Sequence, residues 1–117
     1  MLIGAGGAGA AIAESARAKG LIVEIYDIDL TRKTDGGTTD PTGFDIIMNA
    51  TPLGMKASDP FPFQVEKLKG QFVGDVVTMP AITPLVEYAR LHGCNTSTGL
   101  DMFAEVREIM IDFLLEK

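Results

Sequence analysis

An α/β fold built on a doubly wound parallel sheet is predicted by three features of the chain. Apolar runs short enough for buried strands alternate with stretches of helical periodicity. The first run leads straight into a glycine-rich turn and a helix of small residues, as a βαβ unit begins. The chain has 117 residues, 46% of them hydrophobic and 22% charged, which suits one globular domain with a core of its own.

Met1-Leu2-Ile3 reads as the tail of a strand, shorter than the usual ~5–6 residues, so the opening looks truncated. Gly4, Gly6 and Gly9 follow with the spacing G-x-G-x-x-G. Gly4 permits the tight turn out of the strand, Gly6 lets backbone approach a pyrophosphate, and Gly9 brings the helix close to the sheet. Phosphates at this turn meet free amides and the positive end of the helix dipole. The fold expected is therefore Rossmann-like, in three α/β/α layers. Ala10, Ala11, Ala13 and Ala16 keep the helix slim, and Gly20 stands where a residue just past a helix end belongs.

The run Leu21-Ile22-Val23-Glu24-Ile25-Tyr26 is predicted as the second strand. It ends in Asp27, roughly 20 residues past the glycines, where such folds place an acid for the adenosine ribose hydroxyls. After Ile28–Lys33, residues 34–43 carry turn chemistry without apolar periodicity and are read as loop or disorder. A parallel crossover needs about a dozen residues and normally a helix, so this connection is either abbreviated or incomplete.

Phe44–Asn49 is the next predicted strand. It puts Asn49 and Thr51 at a carboxyl end, the edge where open α/β sheets bind ligands. Asp59–Phe63 reads as extended loop, and Gln64–Lys69 as a short helix with Val65 and Leu68 inward, closed by Gly70. Phe72–Val77 is read as a further strand. Asp75 ends no strand in this reading and is either structural or at the cleft edge. Thr83 as N-cap and Pro84 at the first helical position open a helix through His92, ended by Gly93. Cys94–Ser97 is a short strand, and Thr98-Gly99 turns into a last helix with Phe103, Val106, Met110, Phe113 and Leu114 on its apolar side.

The net charge of −6 argues against a general affinity for nucleic acid, yet leaves room for an anionic dinucleotide held by backbone amides. No run approaches the ~18 apolar residues of a membrane span. Cys94 is the only cysteine, which precludes an internal disulfide and favours a reducing, cytoplasmic setting; no signal segment is visible. One histidine, one cysteine and scattered acids lack metal-ligand spacing, so no metal is expected. His92 is expected at a solvated helix end, Cys94 in the core and Lys56 on the surface.

Four stretches together resemble the shikimate/quinate dehydrogenases, in their C-terminal nucleotide-binding domain. They are Gly4-Ala5-Gly6-Gly7-Ala8, Asn49-Ala50-Thr51-Pro52-Leu53-Gly54-Met55, Asp75-Val76-Val77 through Pro80 to Thr83-Pro84-Leu85, and Gly99-Leu100-Asp101-Met102. The resemblance spans nearly all of residues 1–117 as one NAD(P)-binding domain. It implies hydride transfer between NAD(P) and shikimate, quinate or a related cyclic hydroxy acid, and so a place in aromatic amino acid biosynthesis. It also implies that Gly4, Gly6, Gly7, Ala8 and Gly9 hold the pyrophosphate, that Asn49, Ala50 and Thr51 line the cofactor cleft, and that Gly99 and Met102 lie near the nicotinamide. Members that use NADP carry Asn-Arg-Thr after the second strand and an Arg three residues on. Asp27, Ile28, Asp29 and Arg32 stand there instead, which favours NAD.

The same resemblance puts the family's catalytic Lys and Asp in an N-terminal substrate domain ahead of the glycine loop. No catalytic residue is therefore assigned within 1–117, and the chain alone is expected to bind nucleotide with little or no turnover. Thr78-Met79 replaces the Tyr-Asn of many relatives, and Val106 aligns with a substrate-contacting Gln, so the substrate is open. A binding or regulatory module without catalysis is the alternative, and FAD or S-adenosylmethionine would suit Asp27 equally well. Apolar surface meant for a second domain makes a homo-oligomer possible.

Overall fold

The computed structural model describes residues 1–99 of the chain. The last helix expected from the sequence, with Met102 and Val106, lies outside the described residues.

Among the described residues five short parallel strands form the sheet: β1 (Leu2–Ile3), β2 (Ile25–Tyr26), β3 (Ile46–Asn49), β4 (Phe72–Asp75) and β5 (Thr96–Ser97), in the spatial order β2-β1-β3-β4-β5. The register pairs Leu2 with Ile25 and Met48, Ile47 with Val73, and Asn49 with Asp75. Successive side chains of a strand point to opposite faces, and the core divides accordingly. Leu2, Ile25 and Met48 pack with Ala13 and Ile12 of α1 (Gly7–Ala18) on one face. Met1, Ile3, Ile47 and Val73 pack with Leu85 and Ala89 of α2 (Pro84–Leu91) on the other. This is the doubly wound, three-layer arrangement expected. Strand order reverses between β1 and β3, so the crevice for a ligand opens there.

Helix ends follow local chemistry. Past α1, the Leu21 amide donates to the Ala16 carbonyl and the Gly20 amide to Arg17, with Gly20 at φ +84°, a left-handed cap. Thr83 Oγ1 accepts the Val86 amide at 3.3 Å at the start of α2, and His92 closes it before Gly93 at φ +80°. His92 is exposed and stacks on Tyr88, with centroids 4.1 Å apart. Cys94 is buried and Lys56 exposed, as expected.

Several predicted strands are shorter in the structure. Of Leu21–Tyr26 only Ile25 and Tyr26 pair, with Leu2 and Ile3, and Ile22 is 89% exposed. The third strand starts at Ile46, the fifth spans only Thr96–Ser97, and the helix expected over 64–69 is a single 3-10 turn, Val65–Lys67. The fourth strand stops at Asp75 rather than Val77. Asp75 therefore does end a strand, and it is wholly buried.

The connection from β2 to β3 has no helix. It is fastened as a loop instead: Thr39 takes Gln64 through backbone and side chain, and Asp40 meets Lys67 at 3.1 Å.

Candidate nucleotide cleft

The chain leaves β1 through Gly4, whose φ of +93° is open chiefly to glycine. A Cβ there would also lie 2.9 Å from Thr51 Cγ2. Gly6 is the N-cap of α1, with φ −68° and ψ −166°, and no side chain caps the helix. A Cβ on Gly6 or Gly7 would meet nothing within 4 Å, and Gly6, Gly7 and Ala8 are all exposed. The first amides of a helix have no acceptor within it, so this bend presents donors and the positive helix end to open space. Gly9 behaves differently. A Cβ on it would overlap the Gly4 carbonyl oxygen and come within 3.2 Å of Ala50 Cβ. The helix thus closes tightly on the loops behind it while its front stays bare, as an anion requires.

Asp27 directly follows β2 and is 9% exposed. Its Oδ2 accepts the Ala5 amide and its Oδ1 the Asp29 amide, each at 2.8 Å. These bonds, the Ala5 one foremost, hold its carboxyl below the usual range. The carboxylate therefore stands beside the glycine turn, not away from it. Ile28 next to it is 92% exposed. Arg32 brings Nε to 3.6 Å from Asp29 Oδ2, and Asp29 Oδ1 accepts the Thr31 hydroxyl at 2.6 Å and the Thr31 amide at 3.1 Å. The Thr31 hydroxyl, then its amide, lower the Asp29 carboxyl as well.

Asn49 ends β3 and is fully buried, so it bears on the cleft through the loop it shapes. Its Oδ1 accepts the Thr51 amide at 3.0 Å and the Thr51 hydroxyl at 2.6 Å, and its Nδ2 donates to the Leu53 carbonyl at 3.2 Å. Ala50 and Thr51 are then turned toward a cavity of ≈ 280 Å³. Its β3 wall includes Ala50, Thr51 and Met55; its β4 wall includes Val76, Val77 and Met79. Gly99 backs the second wall, since a Cβ on it would fall 2.7 Å from the Val76 carbonyl oxygen.

The structure thus brings Gly4, Gly6, Gly7, Ala8, Gly9, Asp27, Ala50 and Thr51 to one edge of the sheet. Arg32 is paired at its rim with Asp29. Sequence reasoning missed the anchor beneath: Asp75 accepts from Asn49 Nδ2, the Val77 amide and the Thr83 hydroxyl. A strand-end acid two residues before Val77 was the available signal, but its burial comes from tertiary packing.

No family model matches the chain. Among curated proteins it is 48% identical over 59 residues to a quinate/shikimate dehydrogenase (NAD(+)) of Corynebacterium glutamicum, covering 50% of this chain and 21% of that one. It is 30% identical over 119 aligned positions to a shikimate dehydrogenase (NADP(+)) of Pseudarthrobacter chlorophenolicus, covering 83% of this chain and 41% of that one. Among solved structures it superposes on the quinate dehydrogenase of Corynebacterium glutamicum in complex with NAD, with a TM-score of 0.75 and 32% identity, over 86% of this chain and 44% of that one. The chain thus spans less than half the length of these relatives.

Proposed function

We infer that this chain, a relative of the shikimate and quinate dehydrogenases that matches their nucleotide-binding half, binds a nicotinamide dinucleotide and prefers NAD. The observation that carries the reading is the bare bend at Gly6-Gly7-Ala8 with the Asp27 carboxylate beside it. The amides of that bend would hold the diphosphate, and Asp27 would accept from the adenosine ribose hydroxyls. A dinucleotide straddles the point where strand order reverses, so its other nucleoside runs from the bend across Ala50 and Thr51 into the cavity. That cavity is lined mostly by apolar side chains, together with Thr51 and Thr78, which suits a flat amide-bearing ring.

Bound there, the nicotinamide supplies or accepts a hydride; this chain's own residues bind, orient and shield it. The diphosphate end fixes one point, the ribose acid a second, and the cavity a third. Three fixed points set the orientation of the ring face.

The preference for NAD follows from charge. A 2′-phosphate would approach Asp27 and Asp29, two carboxylates that stay ionised, while Arg32 is already engaged by Asp29. Even screened by solvent, repulsion from both carboxylates should leave NAD bound roughly tenfold or more tightly than NADP.

The substrate reading follows the relatives: shikimate, quinate or a related cyclic hydroxy acid. Among the described residues none that lines the cavity ionises, whereas a hydroxy acid needs a cationic partner for its carboxylate. The groups that bind and deprotonate it are proposed to come from a second domain, as the resemblance implies. Calorimetric titration with NAD and NADP, alongside an assay of shikimate and quinate oxidation, tests this reading. NAD is expected to bind, NADP to bind more weakly, and turnover to be negligible. Equal affinity for the two cofactors would refute the charge argument, and steady turnover would refute the need for a second domain.

A further inference from the structure

We propose that Asp75 is a positioning residue for the nicotinamide end of the cleft, tying the two walls of the cavity together from beneath. The proposal rests on the dinucleotide reading above. Asp75 is the last residue of β4, lies in register with Asn49 of β3, and is 0% exposed. Its Oδ1 accepts Asn49 Nδ2 at 3.1 Å and the Val77 amide at 3.0 Å, and its Oδ2 accepts the Thr83 hydroxyl at 2.8 Å.

Each donor belongs to a different part of the site. Val77 is itself in the β4 wall. Asn49 sets the β3 wall, because its side chain also holds Thr51 and Leu53. Thr83 caps α2, and the loop at Gly54 packs on it: a Cβ on Gly54 would touch the Thr83 side chain at 3.6 Å. One carboxylate therefore joins both walls and the helix below them.

Only a carboxylate of this length answers all three donors. An amide would present N–H to the Thr83 hydroxyl, and a hydrocarbon would strip the Val77 amide and the Thr83 hydroxyl of their acceptor and Asn49 Nδ2 of one of its own. Burial pushes the Asp75 carboxyl up, while the bonds from Val77, Thr83 and Asn49 pull it down. A buried carboxylate that no lining position uses is a costly element unless its bonds do a job. The job available is to fix the separation of the walls. Asp75 does not line the cavity, so it acts through Val77 and Asn49 rather than on a ligand.

The adenosine half of the dinucleotide meets the glycine bend and Asp27, neither of which Asp75 touches. Its loss should therefore weaken binding of the nicotinamide ring selectively. The test titrates the full chain, wild type and variants, with NAD and with ADP-ribose, which lacks that ring. For Asp75→Ala we expect NAD affinity to fall about tenfold, with ADP-ribose affinity changed by less than about twofold. Asp75→Asn keeps one acceptor for Asn49 and Val77 and should recover part of the loss, leaving NAD weakened about threefold. It also carries the test if Asp75→Ala does not fold. Equal loss of both ligands, or no loss of either, in a folded variant would overturn the proposal. Failure of the wild-type chain to bind either ligand would instead overturn the dinucleotide reading and the proposal with it.

Discussion

Gly6 and Gly9 lie three residues apart, and their surroundings assign them opposite work. A methyl group on Gly9 would run into the Gly4 carbonyl, so Gly9→Ala should cost stability, about 3 kcal/mol, measured by thermal or urea unfolding. Gly6 has an ordinary φ of −68° and open space where a methyl would go. Gly6→Ala should therefore unfold within about 0.5 kcal/mol of wild type while losing roughly tenfold or more in NAD affinity. A Gly6→Ala protein that binds NAD normally would show that the diphosphate does not use this bend. The contrast between an open glycine and a closely packed one was legible from the G-x-G-x-x-G spacing, because both arise within one turn and its own helix. The role of Asp75 was not, since two of its three partners, Asn49 and Thr83, reach it only through tertiary packing.

Among the elements, the β2–β3 connection departs furthest from what a parallel sheet usually needs. Nineteen residues, 27–45, cross from one side of β1 to the other without a helix. They also dress the edge strand. Thr34 Oγ1 accepts the Ile25 amide at 2.9 Å, and the Thr34 amide donates to the Ile25 carbonyl at 3.0 Å. The outward-facing groups of β2 are thus paired with a loop in place of a neighbouring strand, which removes a template for edge-to-edge association. Thr34→Val deletes the acceptor but keeps the backbone donor. It should cost about 1 kcal/mol and speed Ile25 amide exchange roughly tenfold; unchanged exchange would mean that the loop does not seal the edge.

The same connection is clasped by Asp40, whose carboxyl is held at about 2, first by the Thr42 hydroxyl and amide and then by Lys67. Because this value lies below the ordinary 3.8, the clasp contributes fully above that value and is lost as pH falls through about 2. An NMR titration of the Asp40 carboxyl carbon should show that midpoint, and one near 3.8 would mean the clasp is open in solution. Turn residues in 34–43 identified a loop from sequence alone, but not what the loop holds, because an edge cap is a long-range contact. For the same reason Leu21–Val23 read as strand from its apolar run and is not: strand pairing is a long-range contact, and the ladder with β1 holds only Ile25 and Tyr26.

At the scale of the molecule, strand order, bend and acid converge on one crevice. The reversal of strand order between β1 and β3 opens it, Gly4–Gly9 floor it, Asp27 bounds it on the β2 side, and the cavity at Ala50 and Val77 bounds it on the other. The fold class was legible because apolar runs and helix caps repeat along the chain, and the candidate site because its glycines and acid sit at fixed spacings. The cavity was legible only in part: Asn49 to Thr51 marked one wall, whereas the wall at Val76 to Met79 emerges from the end of β4 being two residues earlier than its apolar run suggests. The claim on which the account depends is that backbone amides at the bend receive the diphosphate. Amide chemical shifts of the full chain, followed during titration with NAD, measure this directly. The account predicts saturable shifts largest at Gly6, Gly7 and Ala8, with smaller ones at Asp29 and Thr51. Saturation with those three amides unmoved would contradict it.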